Sequence, residues 1–204
     1  MHYNEIEKGG YFMQTHYFIA LSLPLDVKAQ LASHYDEVSI AFPFQKPVHK
    51  LDYHVTLAFL GAHDEERMQE LMKDLAVHTK DFSSFTLTID GYGTFGNAIS
   101  PRIFWNRLTF TPALFDLQQI VANCCRAHEI GLESRPYNPH ITIARKWAGE
   151  EAFNSEFLEQ QNPFKDRPLS FIANEIVLYR TNLNAIPKYE SIFSIPLKNH
   201  EAPL

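Results

Sequence analysis

The chain has 204 residues, of which 45% are hydrophobic and 13% aromatic, so it can bury the core of one large domain or of two small lobes, and wholesale disorder is excluded. The formal net charge of −6 excludes binding along a broad basic face. Any RNA partner would therefore be recognised at its end, in a small phosphate pocket with a few local cations.

Residues 1–12, MHYNEIEKGGYF, show no periodicity, whereas a strongly patterned segment opens at Met13. Lys8-Gly9-Gly10 can be encoded by a purine run that resembles a bacterial ribosome-binding site just upstream of Met13. We therefore expect Met13 to be the natural start and residues 1–12 to be a non-native extension. Mass spectrometry of the native protein would contradict this if it found an intact Met1 terminus. Residues 13–204 are predicted to form a single bilobal domain.

The first half of the chain alternates strands and helices. Strands are predicted from apolar runs and alternation, and helices from capping residues followed by apolar positions at helical spacing. The elements are a strand at 15–23, a helix from Asp26, a strand at 51–60 ending at Gly61, a helix from Asp64, a strand at 85–89, and a loop or bulge in GYGTFG at 91–96.

The second half repeats this order. Its elements are a strand at 102–108, a helix from Thr111-Pro112 to Gly131, a strand at 140–145, a short helix with Phe153 and Phe157, and strands at 169–179 and 189–197. A single shift of 86 residues superimposes the halves: Phe18 on Phe104, Leu31 on Leu117, His54 on His140, Leu71 on Phe157 and Phe85 on Phe171. The pattern predicts an α+β fold in which duplicated strand-helix-strand-helix-strand halves, at about 15–95 and 101–197, form two pseudo-twofold lobes with mainly antiparallel sheets around a central cleft.

Cellular location is predicted from what the sequence lacks. No apolar run approaches the roughly 20 residues of a membrane-spanning helix, and the polar first residues are not typical of a signal peptide. Cys124 and Cys125 are neighbours in a predicted helix, where adjacent side chains diverge, so we expect buried free thiols. These features predict a cytoplasmic protein without a membrane partner. We take it to be a monomer, although the sequence leaves the oligomeric state open.

Two pentapeptides, HVTLA at 54–58 and HITIA at 140–144, share the pattern His, aliphatic, Thr, aliphatic, Ala. The bare His-x-Thr spacing is near chance, but the full pattern is expected on the order of a thousandth of a time from the residue frequencies of this chain. Strand alternation turns His54, Thr56 and Ala58 to one face and Val55, Leu57 and Phe59 to the core. His140, Thr142 and Ala144 are predicted to do the same in the other lobe.

Two histidines that face each other across a cleft suit in-line attack on a phosphate. A neutral imidazole can take a proton from water while an imidazolium gives one to the leaving oxygen, and both forms are available near an ordinary His pKa of about 6.5. Threonine hydroxyls can bind the non-bridging oxygens, and an arginine can offset their charge. The alternative is that each His ends a strand at the surface and each Thr is present for its β propensity. The matched pair favours catalysis.

The chain resembles the 2H phosphoesterase superfamily, and within it the bacterial RNA 2',3'-cyclic phosphodiesterase (2'-5' RNA ligase) family. The segments that carry the resemblance are HYFIALSLP at 16–24, HVTLAFLG at 54–61, PRIFW at 101–105, RPYNPHITIAR at 135–145 and VLYRT at 177–181. The resemblance implies a bilobal fold and metal-independent opening of 2',3'-cyclic phosphates to 2'-phosphomonoesters. It also implies reversible 2'-5' RNA ligation in some members, with RNA ends or nucleotides, tRNA fragments among them, as partners.

The resemblance also implies residue roles. His54 would be the general acid that protonates the leaving 3' oxygen, and His140 the general base that activates water. Thr56 and Thr142 would hold the phosphate, and Arg145 would contact it. Simple alternation, however, places Arg145 on the face opposite His140, so the strand must twist, bulge or end there.

Other features complete the prediction. Tyr137, beside the second motif, could stack on a base. No cofactor is expected, and no histidine pair is predicted to form a metal site. Three alternatives stay open: a phosphodiesterase for another small cyclic phosphate, a non-catalytic module that binds RNA ends and, with less support, a metal-dependent hydrolase.

Overall fold

The computed structural model describes residues 15–199, and the expected extension over residues 1–12 lies outside this range. The described residues form four α-helices, nine strands and one short 3-10 helix, which confirms the α+β class. In chain order they are β1 (His16–Ser22), α1 (Leu25–Ser39), β2 (Phe44–Pro47), the 3-10 helix (Lys50–Asp52), β3 (His54–Ala62), α2 (Glu65–Thr79), β4 (Phe85–Asn97), β5 (Ser100–Leu108), α3 (Pro112–Ala127), β6 (His140–Trp147), α4 (Ser155–Gln160), β7 (Leu169–Ala173), β8 (Glu175–Thr181) and β9 (Tyr189–Pro196).

The strands form two antiparallel sheets, each containing one His-x-Thr strand. The His54 sheet has the order β3-β1-β8-β9, and the His140 sheet has the order β2-β6-β5-β4-β7. Each sheet draws strands from both halves of the chain: β8 and β9 complete the sheet of β1 and β3, while β2 and β4 join β5 and β6. The two sheets therefore exchange elements across the repeat boundary.

The helices cover the outer faces of the sheets. α2 and α3 pack on each other and reach β9 and β3 of the His54 sheet. α1 and the residues that follow it cover the His140 sheet, with Tyr35 of α1 on Phe104 and Phe42 after the helix on Trp147. The predicted apolar stripes are buried, and a single core contains residues of both sheets. Burying one such side chain stabilises the fold by about 1.5–3 kcal/mol. Cys124 and Cys125 are buried free thiols, as expected.

GYGTFG is a strand and not a loop, because β4 continues to Asn97 with register shifts at both ends of the segment. The bulge alternative is therefore the correct one. A Cβ at Gly93 would lie 2.4 Å from the ring of Trp105, so the glycine lets this indole lie flat over the strand. Gly93 is therefore needed for close packing against Trp105 and not for a reversal of the chain.

Three other boundaries differ from the prediction. Residues 169–179 form two strands in different sheets, with the crossing at Asn174. Helix α3 ends at Ala127, where Glu129 and not Gly131 has a positive φ of 55°. The strand β2 was not predicted, because four residues ending in a proline carry little periodicity.

The duplication also differs in detail from a uniform 86-residue shift. Ile19 pairs with Ala58 as Phe104 pairs with Ala144, so the first strands of the halves are related by 85 residues and Phe18 does not match Phe104. Phe85 and Phe171 lie in neighbouring strands of one sheet and are not equivalent positions.

Candidate active site

The two His-x-Thr strands lie side by side where the sheets meet, with Cα atoms of β3 and β6 within 8 Å of each other. Each begins with its histidine. His54, Thr56, His140 and Thr142 are half-buried, and His140 is close enough to lower the pKa of His54. We call the space that these four side chains border the cleft. The aliphatic residues between them are buried, as alternation predicts.

The tautomer of His54 follows from its hydrogen bonds. Nδ1 lies 2.7 Å from the carbonyl oxygen of Asp52, which can only accept, so Nδ1 carries the proton. In the neutral ring Nε2 is then an acceptor, and the Thr56 hydroxyl, at 3.0 Å, donates to it. Phe18 and Tyr189 pack against the imidazole, with ring centroids 4.7 and 5.3 Å away.

His140 repeats this arrangement in the other lobe. Its Nδ1 lies 2.8 Å from the carbonyl oxygen of Asn138, again two residues earlier, which leaves Nε2 free to take or give a proton in the cleft. Phe95 and Trp105 enclose the ring, with centroids 4.9 and 5.7 Å away. Within residues 15–199 the Thr142 hydroxyl has no hydrogen-bond partner and is available to a ligand.

Burial lowers the pKa of both histidines below its usual value. The pKa of His54 falls to about 4, because burial outweighs the hydrogen bond to Asp52, and because Lys28, His140 and Arg145 add positive charge nearby. The pKa of His140 is lowered by burial and by Arg145. Both rings are therefore neutral near pH 7 in the free protein.

A bulge in each motif strand decides where Arg145 points. Ala20 pairs with Thr56 and Ile19 with Ala58, while Trp105 pairs with Thr142 and Phe104 with Ala144, so Leu57 and Ile143 are the extra residues. Each bulge shifts the alternation by one residue. Arg145 consequently shares the face of His140.

Electrostatic contacts confirm this placement. Arg145 lowers the pKa of both histidines and opposes the rise that burial causes in the pKa of Tyr189. In the first lobe the same bulge turns Phe59 out of the core, where it had been predicted, and leaves it 58% exposed.

Tyr137, which the sequence suggests could stack on a base, makes two contacts within the protein. Its hydroxyl donates to the carbonyl of Thr56 at 3.0 Å, and its ring packs on Phe115 with centroids 5.5 Å apart. The side chain thus ties the loop before β6 to the strand of the other motif. We assign it to positioning and not to stacking on a base.

Asp52 and Lys28 are site residues that the sequence did not reveal. The Asp52 carboxylate is buried and accepts hydrogen bonds from the backbone N–H groups of Lys188 and Tyr189, both at 3.0 Å. Lys28 is also buried and donates to the Leu51 carbonyl at 2.6 Å. A polar residue before the motif was the available signal, but its burial and its partners at the start of β9 depend on the tertiary fold.

A groove of about 710 Å³ runs beside His54 on the surface of the His54 sheet. Phe18, Phe59 and Tyr189 line one part of it, and Arg180 another. Arg180 is paired with Glu65 and Glu190, so the aromatic part is the more available surface.

Within residues 15–199, no helix is long and apolar enough to cross a membrane.

Comparison with known proteins gives matches over most of the chain. The family described as the 2'-5' RNA ligase superfamily matches residues 26–185. The RNA 2',3'-cyclic phosphodiesterase of Geobacillus stearothermophilus is 40% identical over 90% of this chain, which spans 58% of that protein's length. The protein of the same name from Bacillus subtilis is 33% identical over 91% of this chain and 98% of its own.

Solved structures share the fold. Escherichia coli LigT, crystallised with 3'-AMP, superimposes with a TM-score of 0.71 at 23% identity, over 90% of this chain and 98% of that one. This similarity supports the two-sheet α+β architecture with its antiparallel sheets.

Proposed function

Because the chain belongs to the 2'-5' RNA ligase superfamily, we propose that it hydrolyses 2',3'-cyclic phosphates on RNA ends or nucleotides to 2'-phosphomonoesters, by two-histidine catalysis without a metal. One observation carries the proposal. Two histidines begin neighbouring strands, and each has Nδ1–H bound to the carbonyl two residues earlier, which leaves Nε2 as the nitrogen for proton transfer. The names of the relatives supply the substrate class.

In the proposed mechanism His140 Nε2 takes a proton from water, whose oxygen attacks phosphorus. The bond from phosphorus to O3' breaks, and His54 Nε2–H gives its proton to O3', which leaves the phosphate on O2'. The Thr56 and Thr142 hydroxyls donate to the non-bridging oxygens, and Arg145 offsets their charge. Positioned acid and base groups contribute about 10²–10⁴ in rate.

The low pKa of His54 has a consequence for this mechanism. The general acid must be protonated, but His54 is neutral near pH 7 in the free protein. An anionic phosphate between the rings favours the imidazolium, so substrate binding should raise this pKa. The basic limb of the pH profile should therefore lie at higher pH in kcat than in kcat/KM, because kcat/KM reports the free enzyme.

The direct test is turnover of a 2',3'-cyclic nucleotide in EDTA, with chromatography to separate 2'- from 3'-phosphate. We expect the 2'-phosphate, and loss of activity in His54→Ala and His140→Ala. His63→Ala is the matched control, because this histidine follows β3 and lies outside both motifs. Activity that disappears in EDTA, or that survives both active-site substitutions, would refute the mechanism.

The same assay separates the alternatives. Tight binding of cyclic-phosphate RNA without turnover would favour a module that binds RNA ends, and turnover of another small cyclic phosphate alone would change the substrate.

We further propose that a 5'-hydroxyl of RNA can replace water, so that O5' attacks phosphorus as the bond to O3' breaks and a 2'-5' linkage forms. tRNA fragments with cyclic-phosphate ends are suitable substrates. We propose that residues 13–204 act as one bilobal unit, a cytoplasmic monomer.

A further inference from the structure

Four side chains that commonly bind metals meet where α2 packs on α3. Asp74 and His78 are one helical turn apart on α2, and Cys124 and His128 are one turn apart at the end of α3. Side chains four residues apart lie on the same face of a helix, so each helix presents two ligands to the other. Among residues 15–199, Asp74, His78 and Cys124 are the one group of three or more such side chains whose ligand atoms lie close together, and His128 adjoins it through Asp74. The catalytic motifs are not part of it.

The distances suit a small tetrahedral ion. Ligand atoms of Asp74, His78 and Cys124 lie within 4.8 Å of one another. Asp74 Oδ1 lies 3.4 Å from His78 Nδ1, and Asp74 Oδ2 lies 3.3 Å from His128 Nε2. His78 Nδ1 also lies 2.9 Å from the backbone carbonyl oxygen of Asp74, so a metal bound at this nitrogen would replace that hydrogen bond. In a tetrahedral zinc site with bonds of roughly 2.0–2.1 Å, neighbouring ligand atoms are about 3.3 Å apart.

One side of the cluster is buried in the protein and the other is open to solvent. Cys124 is buried, Asp74 and His128 are partly exposed, and the His78 side chain is 55% exposed. Arg67 on α2 donates to the His128 carbonyl at 2.6 Å, which fixes the end of α3 against its neighbour. Burial and the charge of Asp74 raise the pKa of the Cys124 thiol, so without a metal this group keeps its proton.

We propose that Asp74, His78, Cys124 and His128 form a structural Zn²⁺ site that joins α2 to α3 behind the His54 sheet. The ligand set combines a thiolate, two imidazoles and a carboxylate, which zinc accepts. Binding replaces the thiol proton of Cys124, so affinity rises with pH. The ion takes no part in phosphoester chemistry, because its ligands lie on the outer helices.

Cobalt(II) titration of the EDTA-treated full chain tests the site directly. A thiolate ligand gives a ligand-to-metal charge-transfer band, which should saturate at one equivalent and disappear when Zn²⁺ is added. Zn²⁺ should also raise Tm in proportion to the logarithm of its concentration. Absence of the band, or a Tm that does not respond to Zn²⁺, would overturn the proposal.

Substitutions locate the site. Cys124→Ser should abolish the charge-transfer band, and His78→Ala should weaken cobalt affinity on the order of tenfold or more. The His78 variant matters because its exposed side chain can be removed with little effect on folding. Cys125→Ala and His63→Ala are the controls and should titrate like the parent chain. A band that persists in Cys124→Ser would refute the site, whereas cyclic-phosphate turnover in EDTA tests the proposed function independently.

Discussion

The two lobes share the same backbone arrangement around the motif histidine but surround it with different side chains. In both, a histidine opens the motif strand, bonds the carbonyl two residues earlier, and is followed by a threonine and a bulge. The position after the bulge is Phe59 in one lobe and Arg145 in the other. The duplicated backbone therefore sets the geometry of the two histidines, while at the position after the bulge the His140 strand carries a cation and the His54 strand carries an apolar ring.

The difference extends to the residue two positions before each histidine. Asp52 is buried and binds the start of β9, whereas its counterpart Asn138 is exposed. Among the ion pairs of residues 15–199, Arg107 and Arg180 have carboxylate partners and Arg145 has none. The His54 lobe thus supplies an enclosed aromatic wall, and the His140 lobe supplies a cation free to meet a phosphate.

The largest expected effect separates the roles of the two histidines. Each of His54→Ala and His140→Ala should lower kcat for a ribose cyclic phosphate by about 10²–10⁴. A nitrophenolate leaves without a proton, so with an aryl phosphodiester the His54 variant should recover much of its loss and the His140 variant should not. The opposite result would exchange acid and base between the lobes, and equal losses on both substrates would exclude a dedicated acid.

Most of the candidate site could be predicted from the sequence, because two of its features depend on local sequence. Strand alternation set the facing of His54 and Thr56, and a shared pentapeptide identified His140 and Thr142 as their partners. The α+β class and the buried stripes of α1, α2 and α3 followed from periodicity for the same reason. Nearly all of this depends on neighbours within a few residues.

Features set by distant contacts were missed. The bulges at Leu57 and Ile143 appear only in the pairing with β1 and β5, so the positions of Phe59 and Arg145 could not be derived from alternation. The exchange of β8 and β9 into the first sheet depends on a crossing that a single asparagine, Asn174, marks without a neighbouring glycine or proline. The Asp74–Cys124 cluster joins helices 50 residues apart in the chain, and each pair alone is unremarkable.

The next prediction tests whether the positive charge of Arg145, after the bulge in the His140 strand, matters more than the side chain of Phe59 at the equivalent position. Arg145→Met keeps the length of the side chain and removes its charge, so it should lower kcat/KM by about 10–100-fold, equivalent to a charged hydrogen bond of about 1.5–3 kcal/mol. Phe59→Leu should change kcat/KM only a few-fold. The double variant Phe59→Arg/Arg145→Met places the cation in the other lobe and should recover part of the loss. Equal effects of Arg145→Met and Phe59→Leu would contradict the asymmetry.

A smaller effect distinguishes the residues before the motifs. Asp52→Asn leaves one of the N–H groups of Lys188 and Tyr189 without its acceptor and removes the charge near buried Lys28, so the free energy of unfolding should fall by about 1–3 kcal/mol. Asn138 is exposed, so Asn138→Asp should change the free energy of unfolding by no more than about 0.5 kcal/mol. Urea denaturation measures both. Equal stabilities would mean that the buried carboxylate does not hold β9 against His54.

The smallest effect concerns the tie between the lobes. Tyr137→Phe removes only the hydroxyl that donates to the Thr56 carbonyl, so it should lower the free energy of unfolding by about 0.5–1.5 kcal/mol. In a chain of this size that corresponds to a drop in Tm of about 2–4 °C per kcal/mol. Leu51, 86 residues earlier, is 41% exposed, and Leu51→Ala is the matched control with a smaller expected change. If Tyr137→Phe raised KM for the cyclic phosphate without changing stability, the phenol would contact substrate, and the stacking role predicted from the sequence would replace the positioning role.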